Sequence, residues 1–257
     1  GTQILAKCGI PIQGKKIMDV GCYLGLQCFG AMELGAGEAV GIDIPEYYVN
    51  QSTNNESVDA SKVLENKRDK IRKLHPHLDQ SKISFKDVSV FEMDYENEFD
   101  IIFSWETFEH IMNPKEALAR IYKALKPGGI VFSQYNPFFC ISGGHSMCTL
   151  DFPFAHTLLT DEDFKKYVET IVPENAPPKY SELSYNFFTK NLNRMTQNDL
   201  TKYINDVGFE LVNFMSMPDL SLLNVIDDST LDSAKTIHPT LTLNDLLCSS
   251  VYFIGRK

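Results

Sequence analysis

Short apolar runs of strand length alternate with helix-patterned stretches through the first half of the chain, and this order constrains the fold most. KIMDV (16–20) opens the series. Residues 24–34 place Leu24, Cys28, Ala31, Met32 and Leu34 at helical spacing, and Gly35 and Gly37 end that helix. EAVGIDI (38–44) follows, then Pro45 and a long polar helical region to about Leu74, stopped by Pro76. KISFKDV (82–88) and FDIIFS (99–104) are two more strands. Asn113 caps a helix with Pro114 in its first turn and Glu116 three residues on, and the helix runs to Leu125 before KPGG (126–129). IVFSQYN (130–136) is a fifth strand. Strands alternating with helices predict a parallel sheet covered on both faces, with ligands at the carboxyl ends of its strands.

The alternation breaks at 137–195, rich in prolines and aromatics with little regular periodicity, and resumes with a helix capped by Thr196 and running to Val207. FELVNFMSM (209–217), a second irregular piece (218–247) and the strand SSVYFIG (249–255) complete the chain. Long irregular pieces inside a compact domain usually cover a site. The expectation is one domain, 1–257, with substrate-lid insertions at 137–195 and 218–247.

Composition narrows the partners. The 257 residues suffice for one large core, and the net charge of −10 argues against a nucleic acid partner, whose binding rests on phosphate neutralisation. Lys15-Lys16 and the stretch Lys67 to Lys73 are the basic clusters, and the second reads as a solvated helix face. No apolar stretch has the length of a membrane span and no signal peptide is visible, although Gly1 is not a natural start and reads as a trimmed end. None of the six cysteines forms a C-x-x-C pair, so free thiols in a reducing cytoplasm are expected.

DVGCYLG (19–25) joins the first strand to its helix. Gly21 and Gly25 let a ligand approach the backbone, and the helix N-terminus offers unpaired N–H groups. Asp43, ending the second strand, offers acceptors suited to ribose hydroxyls. NAD enzymes use the same device, so these residues alone leave the cofactor open.

DVGCYLG, GIDI, KDV, FDIIFSWETFEH and LKPGG, in that order, resemble the class I S-adenosylmethionine-dependent methyltransferases over residues 14–136 and 196–257. The resemblance implies an α/β, Rossmann-like, seven-stranded, mostly parallel sheet with helices on both faces and an antiparallel last strand. It implies that Asp19, Gly21 and Gly25 surround the methionine part of S-adenosyl-L-methionine, that Asp43 binds the ribose and that Asp87 and Val88 frame the adenine. Ile44 and Ser104 complete the expected cofactor contacts. Tyr23 stands where a second glycine is often found; it is expected either to contact the methionine end or the substrate, or merely to cover the pocket.

WETFEH (105–110) raises a metal. On a helical turn, Glu106, Glu109 and His110 stand at i, i+3 and i+4 on one face, a set suited to Mg²⁺, Mn²⁺ or Fe²⁺. Glu-x-x-Glu-His is similar to the pattern of metal-dependent O-methyltransferases of ubiquinone biosynthesis and of small-RNA 2′-O-methylation. In the RNA enzymes a further histidine ahead of a helix completes the site, and His156, with Thr160 capping the next helix, occupies the comparable place. Against this, metal-free relatives carry a Glu-His pair here that only shapes the pocket. His145, following two glycines in SGGHSM, is a further ligand, a general base or a surface residue. His75, His77 and His238 read as surface residues. Phe138, Phe139, Phe152 and Phe154 line a substrate wall or form the lid's own core.

Methyl transfer is an in-line displacement, and a hydroxyl acceptor must also lose its proton. The expected reaction is metal-assisted O-methylation of a small polar hydroxyl or phospho-substrate, such as a sugar or surface-polysaccharide precursor, with His145, His156 and Glu109 catalytic. A metal-free small-molecule N-methyltransferase, an RNA 2′-O-methyltransferase and a non-catalytic cofactor-binding protein are the alternatives.

Overall fold

The computed structural model describes residues 2–44, 59–143, 145–146, 149–171 and 180–257. After α1 (Thr2–Lys7), β1 (Lys16–Val20), α2 (Leu26–Glu33), β2 (Glu38–Asp43), α3 (Ala60–Leu74), β3 (Ile83–Asp87), β4 (Phe99–Trp105), α4 (Pro114–Ala124) and β5 (Leu125–Tyr135) follow in alternation. The first part of the helical region expected after Pro45 lies outside the described residues. β5 starts earlier than expected, because the chain pairs through KPGG: Leu125 lies opposite Phe99 across an irregularity that ends at Ile101.

The seven strands stand in the order β3-β2-β1-β4-β5-β7-β6. β1 to β5 pair parallel, whereas β7 (Cys248–Arg256) runs antiparallel to both β5 and β6 (Glu210–Pro218). Neighbouring residues of the central strands feed opposite cores. Ile17, Ile101 and Phe132 pack with Cys28 and Phe29 of α2, while Met18, Ile102 and Val131 pack with Leu118 and Ile121 of α4 and with Leu200 and Ile204 of α8 (Gln197–Val207). Both strand faces are buried, so these strands read as apolar runs without polar alternation. Each such side chain contributes roughly 1.5–3 kcal/mol by leaving water.

Among the described residues, the two segments expected to be irregular contain regular structure. They carry α5 (Ala155–Leu158), α6 (Asp161–Ile171), α7 (Tyr180–Lys190), α9 (Asp228–Ile237) and α10 (Leu243–Leu247). Their apolar residues, with Phe138, Phe139, Phe154, Phe164 and Phe188 at the centre, form a third core shared between the two segments. Phe152, half-buried, packs edge-on against Tyr167. The expected caps are present: Asn113 accepts from Glu116 N, Thr160 Oγ1 from Asp163 N, and Thr196 and Asp199 form a reciprocal capping box.

Candidate cofactor cleft and active site

Three adjoining hollows of about 250, 200 and 340 Å³ follow the carboxyl ends of the strands. The first is walled by Asp19, Gly21, Tyr23, Trp105 and Glu106; the second by Gly21, Asp43, Thr107, His110 and Met112; the third by Asp43, Ile44, Asp87, Val88 and Phe91. Shared residues make them one cleft. Most of the expected cofactor residues line it, but Gly25 and Ser104 do not: Gly25 packs against the Phe85 ring, and Ser104 is fully buried within β4, its Oγ without a partner among the described residues.

The loop at its centre folds this way for steric reasons. Gly21 has φ +76°, and a Cβ there would stand 2.2 Å from Oγ1 of Thr107. Gly25 has φ +78°, and its Cβ would stand 2.3 Å from the Phe85 ring. Tyr23 also has positive φ, 42°, a region a tyrosine enters only under constraint. The constraint is visible. Its N–H donates to Oδ2 of Asp43, and its carbonyl accepts from Nε of Arg68 at 2.9 Å.

Arg68 corrects the reading of Lys67 to Lys73 as a solvated face. Its side chain is 2% exposed, lies over Phe85 at 4.3 Å and points Nη2 at the Cys22 thiol, 3.4 Å away. A buried guanidinium inside a basic run leaves one trace in the sequence: Ala60, Leu64 and Arg68 recur every four residues along one helix stripe.

Asp19 is 2% exposed, and its Oδ1 has no partner among the described residues. Burial pushes its carboxyl up to about 8, helped by the nearby Asp43 and opposed by Arg68. An orphaned buried carboxyl in a cleft wall fits a cationic ligand group. Asp43 spends Oδ2 on Tyr23 and Oδ1 on the Ile44 N–H at 2.7 Å, so it braces the loop as well as facing the cleft. Asp87 is exposed beside the third hollow, and the Val88 N–H donates to the Asp43 carbonyl.

The structure does not bring the expected metal ligands together. Glu106 adopts φ 49°, and Phe108–His110 is a 3₁₀ turn, so WETFEH presents no α-helical face. Glu106 is exposed beside Tyr23. Glu109 turns inward: Oε1 accepts from the Asn136 N–H at 3.2 Å, Oε2 is buried without a partner among the described residues, and burial pushes the carboxyl up to about 8. His110 donates from Nδ1 to the Asn191 carbonyl at 2.9 Å. His156, 1% exposed, lies in the third core with its ring edge-on to Phe138 at 5.3 Å. No three donor atoms among Glu106, Glu109, His110 and His156 lie within 4.8 Å of one another. A divalent ion does not fit this set, and the structure gives Glu109 and His156 no place on the cleft wall.

His110 and His145 do come together, with ring centroids 5.8 Å apart, and the Phe187 ring lies tilted against His145 at 4.2 Å. Burial lowers the pKa of both, that of His110 to about 4, so both imidazoles are neutral at pH 7. Asn193 escapes sequence reasoning altogether: Nδ2 donates to the carbonyls of Phe108 and Ile111, and its N–H donates to the Glu109 carbonyl, clamping the 3₁₀ turn. His238 is half-buried against Phe139, not on the surface.

A parallel sheet with this loop, an acid ending β2 and a three-part cleft along its carboxyl edge define a nucleotide-binding α/β protein. Residues 2–213 match the model of the methyltransferase domain family, and the chain belongs to that family. It is similar to the mitochondrial ubiquinone biosynthesis O-methyltransferase of Dictyostelium discoideum, with 26% identity over 126 residues, 48% of this chain and 36% of that protein. The ubiquinone biosynthesis O-methyltransferase of Dechloromonas aromatica is 30% identical over 125 residues, 48% of this chain and 45% of that protein. The match thus spans less than half the length of these relatives. An S-adenosylmethionine-dependent methyltransferase from Mesorhizobium loti shares the fold, with a TM-score of 0.55 and 13% identity over 99% of this chain and 96% of that one. The family is that of methyltransferase domains, and the fold is the one S-adenosylmethionine-dependent methyltransferases share. The residues present fit that cofactor: the orphaned Asp19 carboxyl would meet its cationic end, and Asp43 with the slot of Ile44, Val88 and Phe91 would hold its nucleoside.

Proposed function

We propose that this chain transfers the methyl group of S-adenosylmethionine to a hydroxyl of a small polar acceptor, without a metal. The observation that carries the cofactor half is Asp19, a buried carboxylic acid with an unsatisfied oxygen at the end of β1. The acceptor half is supported by the neutral imidazoles of His110 and His145 beside the cleft, and by the O-methyltransferase names of the relatives. Bound there, the cofactor supplies an electrophilic methyl; the protein aligns the acceptor with it and excludes water. His145, its imidazole kept neutral by burial, takes the hydroxyl proton, and His110, held by the Asn191 carbonyl, orients the acceptor. The narrower expectation of a polysaccharide precursor gains no support from these residues.

A metal-free site equally suits an amine acceptor, so the test includes both. Wild-type protein is incubated with methyl-labelled cofactor and panels of small alcohols, phenols, sugars and amines, with and without EDTA. Transfer to a hydroxyl acceptor, unchanged by EDTA, is expected; transfer to amines alone would refute the O-methyl reading. In parallel, Asp43→Ala should abolish cofactor binding by calorimetry, because the loop loses its brace along with a ribose acceptor.

A further inference from the structure

Glu33, His75 and His77 bring three donor atoms within 4.8 Å of one another, as no other group of histidine, cysteine or acidic side chains does among the described residues. Oε1 of Glu33 lies 2.7 Å from Nδ1 of His75 and 2.8 Å from Nε2 of His77. We propose that these three side chains bind a divalent transition-metal ion, Zn²⁺ by preference, at a site separate from the cofactor cleft.

Two imidazoles and one carboxylate form a borderline donor set of the kind zinc takes, with a fourth position left to water. Adjacent donors around tetrahedral zinc stand roughly 3.3 Å apart, so the present spacing has to open by about half an ångström. Glu33 and His77 are both exposed and can make that adjustment. His75 is already set: its ring stacks on Phe29 at 5.5 Å and 17°, its N–H donates to the Arg72 carbonyl, and its carbonyl accepts from Leu78 N and Gln80 Nε2.

The backbone favours a cation at the same point. Glu33 is the last residue of α2, and His75 directly follows the last residue of α3. Two helix C-termini therefore present their partial negative charge to the site. The opposite end of α2 leaves the Gly21–Gly25 loop and α3 carries Arg68, so an ion would join the far ends of the two helices that frame the cofactor loop. As plain surface hydrogen bonds, the same contacts would contribute little.

Zinc chloride is titrated calorimetrically into tag-free, chelator-treated wild-type protein, His77→Ala and Glu33→Gln. One equivalent should bind to wild type, and each variant should bind more weakly by at least the roughly 10–100-fold that losing even an outer partner of a metal costs. Co²⁺ should give wild type d–d absorption bands that His77→Ala lacks. Absence of binding to wild type would overturn the proposal. So would equal affinity in all three proteins, since the ion would then sit elsewhere, for example on the exposed thiol of Cys8. Either failure leaves the methyl-transfer reading untouched.

Discussion

Asp19 holds its proton in the empty protein because burial disfavours the carboxylate, and a cationic ligand reverses that preference. Cofactor binding is thereby linked to loss of the proton. Affinity for S-adenosylmethionine should rise with pH up to about 8 and level off above it, as calorimetry at a series of pH values would show. Asp19→Asn should bind the cofactor at least about tenfold more weakly, with the pH dependence gone, while melting at a higher temperature than empty wild type above neutral pH. The last sign follows because the folded carboxyl binds more protons than the unfolded one between about 4 and 8. Its contribution to the empty fold therefore worsens as pH rises through that window. Tyr23 presents the opposite balance of backbone and side chain. Tyr23→Gly should relieve the positive φ and keep the fold, yet lose the ring that lines the first hollow, so cofactor affinity should fall without a loss of melting temperature.

At the scale of the element, the loop after β1 is fixed by what surrounds it. Gly21→Ala would put a methyl group on the Thr107 side chain at positive φ, and Gly25→Ala would do the same against Phe85. Each should cost about 2–4 kcal/mol in denaturant melts, adding overpacking to backbone strain. Arg68→Met should keep the helix but free the Tyr23 carbonyl, lowering stability by about 1–3 kcal/mol and weakening cofactor binding measured by calorimetry. The loop glycines, Asp43 and the caps at Asn113, Thr160 and Thr196 were all legible in the sequence, because strand ends, glycine turns and cap residues are marked by their immediate neighbours in the chain. Arg68 and Asn193 were not, since what they hold lies 45 and 85 positions away: the Tyr23 and Phe108 carbonyls. WETFEH was misread for a related reason. Spacing at i, i+3 and i+4 defines one face only if the turn is α-helical, and the positive φ of Glu106 and the Asn193 clamp make it a 3₁₀ turn.

Across the whole molecule, the neutral buried histidines set the response to acid. His110, His156 and His238 titrate near 4 in the fold, mainly through burial, against an ordinary value of 6.5. Between those values the unfolded chain binds more protons than the folded one, so stability should fall as pH drops from about 6.5 towards 4. Urea melts across this range would show the slope, and His156→Gln should flatten it. By itself the sequence determined the alternation of strands and helices in the first half, the position of the glycine loop after β1 and, by resemblance, the family, because hydrophobic period and turn residues are local properties. It did not determine that residues 137–195 and 218–247 share one helical core, since that core is assembled from phenylalanines that no single helix stripe contains. Nor did it determine which histidines meet which acids. Tertiary packing decided that, burying Glu109 and His156 apart while bringing the ends of two helices together at Glu33, His75 and His77, because side-chain convergence depends on distances that spacing along the chain does not carry.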